Sequence, residues 1–161
     1  MKKVNVGKLV LAIVLPLIVG GLSAFLTRDA MFVFDSFNKP PLSPPGFLFP
    51  IVWTILYVLM GISSYLVYEN EAKAGVIVVF KNRTLALYAV QLIFNFFWSI
   101  LFFKFALYKV AFMWLVILWI LVFSYIRCSL KLNKLAAYLM IPYLLWMTFA
   151  GYLNIMIAIL N

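Results

Sequence analysis

At 161 residues, 68% of them hydrophobic and 11% charged, the chain suits one domain but is too apolar for water, since soluble domains run at about 45–50% apolar and about 25% charged. Its net charge of +9 comes in groups between apolar stretches, with no more than two basic residues adjacent, which fits bilayer anchoring and anionic headgroups rather than nucleic acid. No histidine, a single cysteine (Cys128) and four acids that all lie between apolar stretches (Asp29, Asp35, Glu69, Glu71) exclude an intrachain disulfide and leave hydrolase and metalloenzyme chemistry poorly equipped.

The first apolar stretch, 9–26, follows Lys2, Lys3 and Lys8. That order also describes a signal peptide. The run is long for one, and Leu22-Ser23-Ala24 is a poor cleavage site, so a retained helix is expected. Gly20 and Ala24 form a small-xxx-small pair suited to close helix packing, and Pro16 is a candidate kink. Residues 27–46 then read as a proline-rich loop containing Pro40, Pro41, Pro44 and Pro45. Proline restricts itself and its predecessor, so the loop is expected to hold a defined shape and act as a lid.

Four more uncharged stretches follow, at 47–68, 84–103, 110–126 and 135–160. Each is near the roughly 17–25 residues that a spanning helix needs. None alternates as a barrel strand would, and open strands cannot satisfy their backbone in lipid. The predicted class is all-α, a single domain of five transmembrane helices. The short apolar run 76–80 cannot span and is expected at the interface or at the start of the third helix. Nine of the thirteen Lys and Arg fall on the amino-terminal side and four on the other. The positive-inside rule then puts the amino terminus in the cytoplasm. The short leading segment suggests a bacterial cytoplasmic membrane.

Residues four apart share a helix face. Trp53, Tyr57 and Gly61 share one on the second helix. Gln91, Asn95 and Ser99 share one on the third, with Trp98 beside it. Trp146, Ala150 and Asn154 share one on the fifth. Polar side chains avoid lipid, so these stripes should face the bundle interior. They suit two purposes: contact between helices, or a pocket walled by indole and phenol rings and oriented by amides. The stiff loop beside them favours the pocket.

These residues also resemble a known family. Asn38-Lys39-Pro40, Ser43-Pro44-Pro45-Gly46, Phe49 and Trp53 are similar to the first-loop and second-helix signature of the translocator proteins, also called tryptophan-rich sensory proteins or peripheral benzodiazepine receptors. Phe94-Asn95 with Trp98-Ser99 resembles their third helix. Pro142-Tyr143, Trp146, Phe149-Ala150 and Leu153-Asn154 resemble their fifth. The resemblance implies a five-helix bundle, often a homodimer, with a ligand cavity beneath the first loop. It implies binding of porphyrins such as protoporphyrin IX and, in many members, of sterols and benzodiazepine-site drugs. Carried over by position, Trp53 and Trp146 are the paired pocket tryptophans and Asn95 the pocket asparagine. Phe34, Pro44, Phe49, Tyr57, Trp98, Ser99 and Ala150 look like further lining residues. Gln91, placed on the Asn95 face by spacing alone, is expected as a second polar contact for the ligand.

The chain departs from the family pattern at Val33-Phe34, where a Trp-Tyr pair is usual, and at Pro41-Leu42, where an aromatic is. The carboxyl-terminal sterol motif is missing, although Val122, Tyr125 and Arg127 match its loose form elsewhere. The expected function is a membrane sensor, receptor or carrier for tetrapyrroles, with no cofactor required, no metal, and porphyrin as ligand. The alternatives are light-dependent degradation of porphyrin beside Trp53 and Trp146, the only residues to which a catalytic role is assigned, and small-molecule transport.

Overall fold

The computed structural model describes residues 4–35, 38, 40–73 and 83–161, and the side chains of all of these except residues 30–35 and 73. The run 76–80 lies outside the described residues. Helices account for nearly all of the rest: α1 (Val6–Asp35), α2 (Leu48–Lys73), α3 (Arg83–Ser99) continued by a π-helical turn (Ile100–Lys104), α4 (Tyr108–Leu132), α5 (Lys134–Tyr138) and α6 (Ile141–Leu160). Five spans among them are long and apolar enough to cross a bilayer, with α5 and α6 counted as one. The protein is an integral membrane bundle of five transmembrane helices.

Helix α1 runs nine residues further than the apolar stretch that ends at Leu26. Arg28 and Asp29 end its hydrophobicity but not its helicity, since no proline or glycine intervenes before Pro40. Both are exposed, with the Arg28 guanidinium over the Phe25 ring at 4.7 Å. The proline-rich loop is therefore shorter than 27–46. What remains turns at Pro40–Ser43, where the Ser43 amide donates to the Pro40 carbonyl and Leu42 takes a positive φ of 69°. The turn is tied to α6: Tyr152 Oη donates to the Pro41 carbonyl at 2.8 Å, and Asn161 bonds to the Asn38 backbone.

Pro142 breaks the last span. Without an N–H it leaves the Tyr138 carbonyl without its helical donor, and its ring clashes with that carbonyl in a continuous helix. The chain turns at Leu139–Met140 and restarts with Pro142 in the first turn of α6, where its missing N–H costs nothing. The short α5 is capped by Asn133, whose side chain accepts from the Ala136 amide at 3.2 Å. It packs on α2, where Ser63 Oγ donates to the Ala136 carbonyl at 2.7 Å.

The core is built where α2, α4 and α6 converge with α5. Met60, Leu118, Val122, Tyr143 and Ile157 are fully buried there. Helix α1 lies outside it. Its Val10, Leu11, Ile18 and Phe25 are more than half exposed, which suits a lipid-facing surface. Two glycines set its distance from α2. A Cβ on Gly61 would stand 2.5 Å from Ile13 Cα, and one on Gly20 would stand 2.0 Å from the Tyr57 ring. Gly61 is therefore a contact between helices, not part of a pocket stripe. The loose sterol pattern does not survive burial either, because Val122 and Tyr125 are both fully enclosed.

Candidate functional site

A cavity of about 210 Å³ opens between α1, α2, the π turn and α6, at the level of the first turn of α2. Helix α1 gives it Gly20, Ala24 and Thr27. Helix α2 gives Phe49, Pro50, Trp53 and Tyr57. Trp98 and Ser99 come from α3, Phe102 and Phe103 from the π turn, and α6 adds Trp146, Ala150, Leu153, Asn154 and Ile157. No lysine, arginine, aspartate or glutamate is among these residues. Among the described residues the lining is made of aromatic rings, small and aliphatic side chains and a few neutral polar groups.

Each ring is held by others. Trp53 stacks on Tyr57 at 5.5 Å, leans on Trp98 at 6.4 Å and meets Tyr143 edge-on at 6.0 Å. Trp98 in turn stacks on Phe102 at 5.5 Å. Its indole N–H donates to Asn154 Oδ1 at 3.3 Å, and Asn154 Nδ2 donates to the Tyr108 carbonyl at 2.8 Å. Asn154 thus spends its amide orienting an indole and holding the start of α4. Trp146 is set edge-on to Phe49 at 6.1 Å and contacts Phe149 at 5.6 Å. Its Nε1 is buried and has no hydrogen-bond partner. A buried, unpaired indole N–H costs about 1–3 kcal/mol, so Trp146, a lining residue, holds an unmet donor behind the cavity surface that a shift of its ring could offer to an acceptor.

The structure divides the residues expected from sequence. Phe49, Trp53, Tyr57, Trp98, Ser99, Trp146 and Ala150 line the one cavity. Asn95 does not: it sits behind the Tyr57 ring, accepting from Tyr57 Oη and donating to Tyr143 Oη, both at 2.7 Å. It braces the wall rather than facing the cavity. Gln91 is one turn deeper and fully buried, with Nε2 at 4.0 Å from Met60 Sδ, because the cavity reaches only the last turn of α3. Pro44 belongs to the loop above and is not part of the lining. Phe34 is on the last turn of α1, and its side chain lies outside the described residues.

Sequence reasoning missed the α1 wall and the two phenylalanines of the π turn. Gly20 and Ala24 were legible as close-packing residues; Gly20 admits the Tyr57 ring against α1, and both border the cavity. Phe102 and Phe103 follow Trp98 and Ser99 by four residues, so they stay on the cavity side of the same helix through the π turn. The stripe of Gln91, Asn95 and Ser99 runs on to Phe103 at the same spacing.

The TspO/MBR family profile matches residues 12–160. The chain belongs to the TspO/MBR family. Among its relatives in that family, the tryptophan-rich protein TspO of Chlorobaculum tepidum is 36% identical over 144 residues, covering 86% of this chain and 85% of the relative. The protein of the same name from Archaeoglobus fulgidus is 35% identical over 158 residues, covering 98% and 99%. The translocator protein of Bos taurus is 33% identical over 144 residues, covering 87% and 82%. The TspO/MBR match spans every element that lines the cavity.

Proposed function

We propose that this TspO/MBR protein is a membrane sensor, receptor or carrier that takes a flat, apolar, acceptor-bearing ligand into the cavity, with tetrapyrroles such as protoporphyrin IX as the leading class. The observation that carries the reading is the group of aromatic rings that line one cavity, Phe49, Trp53, Tyr57, Trp98, Phe102, Phe103 and Trp146, the last with an unpartnered indole N–H. A ligand ring gains from stacking, at about 0.5–1.5 kcal/mol per aromatic pair beyond the area buried. A ring nitrogen or carbonyl gains the indole hydrogen bond.

At about 210 Å³ the cavity is below the roughly 300–1,000 Å³ of sites for drug-sized ligands. A tetrapyrrole enters only if a wall moves. Helix α1 is the wall that yields, since it is mostly lipid-facing and only 17% of its apolar window is buried. The test is a titration of the full chain in detergent with protoporphyrin IX, followed by tryptophan quenching. The Trp53→Phe, Trp146→Phe double variant should bind about ten-fold or more weakly. Unchanged binding in that variant sinks the reading.

The second reading is light-driven degradation. It is favoured by the two indoles, Trp53 and Trp146, that share the cavity, and it needs no acid, base or metal, only dioxygen as oxidant. Illumination of the porphyrin complex in air, with a search for an opened-ring product, separates it from binding alone.

A further inference from the structure

A second groove, of about 500 Å³, lies at the end of the bundle where α3 starts and α4 finishes. Four-residue spacing puts Phe123, Arg127 and Lys131 on one line of α4 and Ser124 and Cys128 on the next. All five line the groove together with Leu130, and Arg83, the first residue of α3, closes it. Arg83, Arg127 and Lys131 are exposed. No acid lines the groove, and the ion pair found among the described residues joins Arg28 to Asp29, away from it.

Three cations drawn together without a counter-charge repel one another, so the groove favours an anion. Its place decides which kind. Arg83 begins one membrane-length helix, and Arg127 and Lys131 stand in the last turns of another, so the three cations sit at the ends of spans, where lipid headgroups meet a membrane protein. Phe123 and Leu130 are exposed beside the charges, and Phe123 stacks on Trp119 at 5.4 Å along the way towards the bilayer centre. We propose that this groove binds an anionic phospholipid, with its phosphate held by Arg83, Arg127 and Lys131 and an acyl chain lying along Phe123 towards Trp119. Guanidinium forks match phosphate oxygens two at a time, and basic pockets between spans are a known way to hold such headgroups. The carbonyls at the end of α4 oppose an anion with about half a charge, partly offset by the start of α3. Three full cations outweigh them.

The proposal is independent of what the main cavity binds. Its test is native mass spectrometry of the full chain in a non-ionic detergent, titrated with dioleoyl phosphatidylglycerol and, separately, with dioleoyl phosphatidylcholine. Wild type should retain the anionic lipid in preference. Each of Arg83→Gln, Arg127→Gln and Lys131→Gln should weaken that retention roughly five-fold, and the triple variant on the order of a hundred-fold. Lys104→Gln with Lys109→Gln, at the other end, should change nothing. Cys128→Trp blocks the groove without altering charge and should also weaken retention; diffuse surface charge would not respond to it. Inorganic phosphate in excess should not displace the lipid. An unchanged preference in the triple variant, an equal loss in the distal control, full retention by Cys128→Trp, or displacement by phosphate alone would each overturn the proposal.

Discussion

Asn95 holds two tyrosines at once: it accepts from Tyr57 Oη and donates to Tyr143 Oη, each at 2.7 Å. Both rings touch Trp53, so one amide, itself outside the cavity, fixes the orientation of the indole inside it. Replacing Asn95 by Leu leaves two buried hydroxyls unpaired. Hydrogen bonds between membrane helices average about 0.6 kcal/mol and reach about 1.7. A loss of about 1–2 kcal/mol is expected, seen as a lower Tm in detergent. Tyr57→Phe should cost less, since it frees one acceptor only.

Trp146→Phe separates stacking from hydrogen bonding. The ring stays and the unpartnered donor goes. A ligand that carries an acceptor should lose about 0.5–1.5 kcal/mol of affinity, or roughly two- to ten-fold. A purely hydrocarbon aromatic ligand should lose little. Equilibrium titration of both ligands against both proteins checks this. Stability should hold or rise, because the variant removes a buried unpaired group.

The two glycines facing α1 and α2 should respond differently. A Cβ at Gly61 meets backbone, 2.5 Å from Ile13 Cα and 2.7 Å from the Ala12 carbonyl oxygen, and backbone gives only by moving the whole helix. Gly61→Ala should destabilise the bundle by about 1–3 kcal/mol. At Gly20 the added carbon meets the Tyr57 ring, which Asn95 and Trp53 hold in place and which lines the cavity. Gly20→Ala should therefore lower ligand affinity as well as Tm. Thermal unfolding with a binding titration on each variant tests the contrast.

The turn at Pro40–Ser43 is tied to α6 by Tyr152, whose hydroxyl reaches the Pro41 carbonyl at 2.8 Å, besides the bonds of Asn161 to Asn38. Tyr152→Phe removes the first of these ties without touching the cavity lining. Ligand association and dissociation should both quicken, several-fold, with little change in their ratio. Stopped-flow quenching reports both rates. An unaltered rate in each direction would place the entry path elsewhere.

Much of this was legible from residue order. Uncharged stretches locate the five spans, because a bilayer leaves few ways to arrange them. Trp53, Tyr57 and Trp98 fall on inward stripes, since aromatic and polar residues among Leu, Ile and Val seldom have another place to go. Three things were not legible. Helix α1 continues past its apolar run because charge ends membrane burial but not helix formation. Asn95 and Gln91 share a face with Ser99, yet only Ser99 lines the cavity; periodicity gives the direction of a side chain, not the depth of a hollow. The α1 wall was read only as helix packing, because small residues four apart mark a close approach without saying that a hollow lies beside it.

The most direct measurement of the central claim is a structure of the full chain with protoporphyrin IX or a comparable flat ligand bound. Its ring should lie between Trp53 of α2 and Trp146 of α6, with an acceptor atom about 3 Å from Trp146 Nε1 and α1 displaced outward at Gly20. Density for the ligand on the lipid-facing surface, with the cavity closed and Trp146 Nε1 still unpaired, would contradict it.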